Sequence, residues 1–397
     1  MTRSLDSDCE LCDSLFLPSL SNIPAHSRVH SHVNLEEHSA VSVTNYGVHG
    51  KRSVKIFEKF KARGGLFMIY ADSHCDTATE LVLHPGKGDL LSNSLDLDFR
   101  RALSISPQWI QCLAIFVDSS QPPVNGIKPD YYEKYLDYMV AIRRQLTKMG
   151  DKVVQVHTQK DLDLALSTGR VAAILTVENG AVLGKNIDVL PSLWHDGVRI
   201  ITLTWNDDNH IGCGACTGPR ADAHFGTETI DTGLTHWGRI LLKNMATLRM
   251  GVDCSHLSDK TFWDVMEYGQ DNILFATHSN CDAICKHPRN LTDKQLQALG
   301  DRGAFVGISY VPYFLSNKDA VSIDDMYAHI DHALQFVGSD NLGLGSDWDG
   351  FDTKYDDFRG VFEHEKLREY LLVKKYNENL VNKIIGENFR QHIAKCL

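Results

Sequence analysis

From residue 66 onward, short apolar runs rich in β-branched residues alternate with longer amphipathic stretches. The runs are LFMIYA (66–71), IQCLAIFV (110–117), VAAILTV (171–177), RIITLT (199–204), LRMGVD (248–253), ILFAT (273–277), AFVGIS (304–309) and LGLGS (342–346). Each has the length and composition of a buried strand. Between them, YYEKYLDYMVAIRRQL (131–146), DKQLQALG (293–300) and DDMYAHIDHALQFV (324–337) repeat apolar residues at three and four, the helical period. VVQV (153–156) reads as an extra short strand, and DLDLALSTG (161–169) as a helix that Gly169 stops. Eight strands joined by helical crossovers predict an α/β fold, a (β/α)8 barrel. A doubly wound open sheet is the main alternative. No phosphate loop and no G-x-G-x-x-G follows the first strand, which removes its commonest nucleotide-binding forms.

The first 62 residues lack this rhythm. They are rich in Ser, His and Asn, and no period is sustained before VKIFEKFKAR (54–63). Residues 1–65 are therefore expected to be a disordered or non-native extension, and 66–397 a single catalytic barrel domain. Arg63-Gly64-Gly65 can be encoded by a purine-rich stretch resembling a bacterial ribosome-binding site, which would put the natural start at Met68. His26, His30, His32, His38 and His49 are irregularly spaced, as in a solvated tail rather than a metal site.

Composition narrows the classes. Of 397 residues, 43% are hydrophobic and 23% charged, enough for one large core or two modest ones. A formal net charge of -11 argues against a nucleic-acid partner and against an anionic membrane surface. No run of 18 apolar residues, no signal peptide and no C-terminal anchor sequence is seen. Ten cysteines without an export signal read as reduced thiols in a cytoplasmic protein. The pairs Cys9/Cys12 and Cys213/Cys216 have the count of a zinc ribbon but lie about 200 residues apart, and ordinary thiols are expected.

In a barrel, chemistry gathers where the strands end, because those ends converge on one mouth. After the first strand come His74 and Asp76, in DSHCDT. Glu178 follows the third, Trp205 and Asn206 the fourth, His256 the fifth, and His278 the sixth. Tyr310 follows the seventh, and Asp347 and Asp349 the eighth. Singly, each has an ordinary explanation: a turn cap, a satisfied core histidine, a packing tyrosine. Together they form the N/O donor set of zinc or a similar divalent ion. His-x-Asp on an extended segment points both side chains to one face and turns Cys75 away. One metal can take His74 and Asp76, a second His256 and His278, and Glu178 has two oxygens with which to bridge them.

At these residues the chain resembles the renal, or membrane, dipeptidase family, zinc dipeptidases of the amidohydrolase superfamily (peptidase family M19). The resemblance runs from about Met68 to Leu397. It is carried by DSHCDT (72–77), VENG (177–180), LTWNDDNHIG (203–212), GLTHWG (233–238), VDCSHLS (252–258), THSNCDAICKHPRNLTDKQL (277–296), GLGSDWDG (343–350) and IIGENFRQ (384–391). It implies a barrel with two zinc ions: His74 and Asp76 on the first, His256 and His278 on the second, Glu178 between them. It further implies Arg289 as the holder of the substrate's C-terminal carboxylate and Asp347 as the acid that handles the proton. A hydroxide between the two metals would attack the peptide carbonyl of a dipeptide. A homodimer is the one protein partner the family suggests. Many members carry histidine where this chain has Trp205, which bears on how the developing charge is stabilised and on which dipeptides fit; the metals carrying more of that task, or Asn206 or His210 assisting, are the alternatives. Tyr310 is a further candidate for the substrate carboxylate. Two other readings remain open at this point: an amidohydrolase of N-acyl amino acids or cyclic amides, and a non-catalytic metal- or peptide-binding barrel.

Overall fold

The computed structural model describes residues 68–120, 130–226, 228–318, 320–352 and 358–397. The N-terminal extension, Cys9 and Cys12 lie outside the described residues, as does the start of the first apolar run. Eight parallel strands follow one another in chain order: β1 (Tyr70–Asp72), β2 (Trp109–Phe116), β3 (Val171–Glu178), β4 (Val198–Thr202), β5 (Gly251–Asp253), β6 (Leu274–Ala276), β7 (Phe305–Ile308) and β8 (Leu342–Leu344). Each pairs with the next. The order never reverses, which excludes the doubly wound sheet and gives the (β/α)8 barrel. The short strand expected near 153 exists as Val153–Gln155 and pairs with the start of β3.

The expected helices form as Tyr131–Lys148, Gln159–Thr168, Asp293–Asp301 and Ile323–Val337. Their ends follow local chemistry. Asp130 accepts hydrogen bonds from the Tyr132 and Glu133 amides at the first, and Gly169, at φ 68°, ends the second in the left-handed region. Two cores result. One lies between the strands and their covering helices. The other fills the barrel itself with Ile110, Cys112, Ala172, Ile174, Ile200, Phe275 and Phe305, against Phe389 and Ile393 of the last helix, Asn388–Ile393. The three Phe rings of this plug have centroids 5.0–6.4 Å apart, a range in which edge-to-face packing is favourable. No helix among the described residues is long and apolar enough to cross a membrane.

The ring closes between β8 and β1. The Ser73 amide donates to Leu344 O (3.0 Å), the Asp347 amide to His74 O (3.0 Å), and the Asp76 amide to Trp348 O (2.9 Å). Asp72 clamps this seam. Fully buried, it accepts from the Ser346 amide (2.7 Å), the Ser346 hydroxyl (2.6 Å) and Gln111 Nε2 (2.9 Å). Beside it, Ser73 Oγ reaches across the barrel to Thr277 O at 2.6 Å. That crossing needs space on β7 and just beyond β8. A Cβ on Gly307 or on Gly345 would lie 2.6 Å from Ser73 Oγ. Gly345→Ala, whose Cβ would also collide with Thr277 O, is therefore expected to lower the unfolding free energy by about 3 kcal/mol or more, the upper end for an overpacked core. Urea denaturation measures this, and an unchanged midpoint would mean that the seam has slack.

Candidate metal centre and cleft

The seam delivers His74, Asp76 and Asp347 to the same mouth that receives Glu178, His256 and His278. Nε2 of His74 lies 3.5 Å from Asp76 Oδ2, 3.5 Å from Glu178 Oε2 and 3.7 Å from Asp347 Oδ1. The other Glu178 oxygen, Oε1, is 2.9 Å from His256 Nε2 and 3.7 Å from His278 Nε2. Those two imidazole nitrogens are 2.8 Å apart. The rings of His74 and His278 stack with centroids at 3.8 Å. All six groups are buried. Several backbones are bent to achieve this: Asn179 (φ 75°), His256 (φ 67°), Asp347 (φ 64°) and Asp349 (φ 69°) all occupy the left-handed region without being glycine. Such conformations cost roughly 1–3 kcal/mol each and persist where surrounding contacts impose them. Asp349 is held by the Thr77 hydroxyl (2.5 Å) and the Asp96 amide (2.9 Å), and the Thr204 hydroxyl donates to His256 O (3.0 Å).

Electrostatics divides the cluster. Burial, reinforced by Arg289 and the other histidines, pushes His256 and His278 well below the ordinary imidazole range, so both are neutral and able to donate a lone pair. Burial opposes a charge on His74 too, but the neighbouring Glu178 and Asp76 carboxylates outweigh it and raise its pKa. Burial lifts Asp347 to about 8, opposed by His74 and assisted by Asp76 and Glu178, and lifts Asp76 to about 6. His74 Nε2 and Asp76 Oδ1 are buried without a hydrogen-bond partner. Three triplets, His74/Asp76/Glu178, Glu178/His256/His278 and His74/His278/Asp347, each bring ligand atoms within 4.8 Å of one another. The neutral imidazoles of His256 and His278, beside carboxylate oxygens that no protein donor fills, fit a hard or borderline divalent cation such as zinc. No such triplet among the described residues includes a cysteine. Cys213 instead faces the Thr232 hydroxyl at 3.3 Å, and Cys75 turns away from the mouth toward Cys112 O at 3.4 Å.

A cavity of about 280 Å³ opens over this cluster. Arg289 enters it from the loop after β6, buried, with Nη2 donating to His278 O (3.3 Å) and the guanidinium over the Phe314 ring at 5.2 Å. Its Nε is buried with no partner. Trp205 and Phe116, with ring centroids 5.3 Å apart, line the cavity from β4 and β2, across the barrel order from Arg289. Asn206 also lines it, but its Oδ1 is engaged by His256 Nδ1 at 2.9 Å. Tyr310 is a correction to the sequence reading. It is 1% exposed, lies outside the cavity lining, and packs between Trp348 and His364 at centroid distances of 4.7 and 5.3 Å. Tyr313, on the short helix Pro312–Leu315 that follows, lines the cavity instead. His210 is likewise outside the lining and rests edge-on against Trp237 at 4.7 Å. Phe116, Tyr313 and Phe314 escape sequence reasoning because a search of strand ends for polar chemistry passes over aromatic walls.

Comparison with known proteins agrees with this geometry. The family model described as membrane dipeptidase, peptidase family M19, matches residues 67–395, and the chain belongs to that family. It is thereby a hydrolase of the metallo-dipeptidase class. An uncharacterised Klebsiella pneumoniae protein from the pqqA 5′ region is 34% identical over 205 residues, which span 50% of this chain and 73% of that one. The crystal structure of dipeptidase AC, a metallo peptidase of family M19, is 25% identical with a TM-score of 0.71, covering 83% of this chain and 98% of its own. A Rhodobacter sphaeroides metallo peptidase, solved with a phosphinate mimic of the dipeptide L-Ala-D-Ala, superposes with a TM-score of 0.71 at 23% identity, over 83% of this chain and all of its own.

Metal should stabilise the fold in proportion to its binding. Zinc added to metal-free protein at a hundredfold excess over its dissociation constant is expected to add about 2.7 kcal/mol, read as a higher melting temperature. Glu178→Gln, which replaces one acceptor oxygen by a donor, should lose most of that gain and retain less metal by elemental analysis.

Proposed function

We propose that this chain hydrolyses dipeptides bearing a free C-terminal carboxylate, at a centre that holds two divalent metal ions, zinc by its donor set. The observation that carries the reading is the orientation of Glu178. One oxygen faces His74 at 3.5 Å and the other faces His256 at 2.9 Å, so a single carboxylate addresses two ligand groups beneath one cleft. Bound there, a pair of divalent ions supplies an activated water and a Lewis acid for the peptide carbonyl.

The protein's own groups would do the rest. Asp347, which lines the cleft 3.7 Å from His74, takes the proton released in the attack and returns it to the departing amine. Arg289, in the cavity lining, offers its guanidinium to the C-terminal carboxylate. Phe314 backs that guanidinium, while Phe116 and Trp205 make the opposite wall apolar. The wall that Trp205 and Phe116 build favours a large apolar side chain on the first residue of the dipeptide.

The test is amino-acid release from L,L, L,D and Gly-containing dipeptides by zinc-reconstituted protein, with a chelator control. Chelator-sensitive release is expected. No release from any dipeptide by protein with two metals bound would overturn the dipeptidase reading and turn attention to N-acyl amino acids. Within the panel, Trp205→Ala should lower kcat/KM for dipeptides with a large apolar first residue by about tenfold or more relative to Gly-first dipeptides, the scale of a lost apolar pocket contact.

A further inference from the structure

Asp253 and Thr277 touch neither the cleft nor a candidate metal position, yet they govern a ligand atom. Asp253, at the end of β5, is fully buried and accepts four hydrogen bonds. They come from the Ser255 amide (3.0 Å), the Thr277 amide (2.8 Å), the Thr202 hydroxyl (2.7 Å) and the Thr277 hydroxyl (2.6 Å). A carboxylate only accepts, so the single hydroxyl proton of Thr277 is committed to it. Thr277 Oγ1 then meets His278 Nδ1, 2.8 Å away, with lone pairs alone. That contact is a hydrogen bond only if Nδ1 carries the proton. A neutral imidazole has one N–H, so His278 Nε2 is left bare, directed at His256 Nε2 and Glu178.

We propose that Asp253 and Thr277 form a positioning relay that fixes the tautomer of His278 and holds its Nε2 lone pair toward the metal centre. The inference rests on the reading of His278 as a metal ligand. Asn206 does the same for His256. Its Oδ1, 2.9 Å from Nδ1, calls for a proton there and leaves His256 Nε2 bare as well. Two lone pairs 2.8 Å apart repel, and a shared or neighbouring cation converts that repulsion into coordination. The relay is thus part of what makes the mouth a cation site.

Zinc affinity of the metal-free protein, measured by competition with a chromophoric chelator, tests this without reference to catalysis. Thr277→Val keeps the shape and removes the hydroxyl. It is expected to weaken binding by about 10–100-fold, as loss of a partner behind a ligating histidine does. Thr277→Ser keeps the hydroxyl and should bind like the parent. Asp253→Asn lets the Thr277 proton turn to His278 Nδ1 and should weaken binding as Thr277→Val does. Because Asp253 ties three strands and its variant can fail to fold, the Val/Ser pair decides. Parent-like affinity in Thr277→Val, or equal losses in Val and Ser, would overturn the relay alone. A parent protein that binds no divalent metal would overturn the metal reading with it.

Discussion

Everything at the mouth depends on the seam between the first and last strands. β1 and β8 are each only three residues long. Short strands give few ladder bonds, so the three backbone bonds of the closure are reinforced by side chains. Asp72 supplies this reinforcement by gathering Ser346 and Gln111 into one buried knot. A buried carboxylate is costly unless its lone pairs are filled, and here two of the bonds that fill them, both from Ser346, cross the seam. Two residues further along, the same chain presents His74 and then Asp76, and one residue beyond Ser346 it presents Asp347. The seam and half of the candidate metal centre are therefore one piece of backbone.

This coupling explains why strained backbone can persist around the mouth. Left-handed φ at His256 and Asp347 is unfavourable locally, but each is flanked by bonds that leave no alternative path. The Asp347 amide is tied to His74 O, and its carbonyl accepts from the Gly350 amide at 3.0 Å. Gly350 must be small, because a Cβ there would press on the Asp76 and Asp347 carboxylates. Rigidity of this kind suits a site whose ligand atoms must stay within tenths of an ångström of a working geometry.

The barrel is legible in the sequence because its strands are buried on both faces and so appear as continuous apolar runs. The eight expected runs overlap β1–β8, differing only at their ends. The five proposed ligands are legible for a related reason: a polar residue directly after such a run must lie at the mouth. What the letters do not carry is direction. Tyr310 follows β7 as His278 follows β6, yet one turns into the core and the other into the cleft. Phe116 lies at the end of β2 and looks like any core aromatic until Trp205 packs beside it. Asp253 and Thr277 likewise sit inside ordinary strand ends. Their importance lies in hydrogen bonds between strands that are adjacent in space but more than twenty residues apart in sequence.

The carboxylates show this most sharply. D-S-H-C-D contains two aspartates and D-W-D two more, and the letters do not distinguish them. Hydrogen bonding does. Asp72, Asp253 and Asp349 have their oxygens taken by amides and hydroxyls of the protein. Asp76, Glu178 and Asp347 instead face imidazole nitrogens at 2.9–3.7 Å. A carboxylate filled by protein donors has little capacity left for a cation, whereas one that faces imidazoles without a backbone or hydroxyl donor keeps lone pairs free for one. The three filled aspartates thus build the frame, the three open carboxylates face the cleft, and the division is set by which neighbouring strand brings a donor within reach.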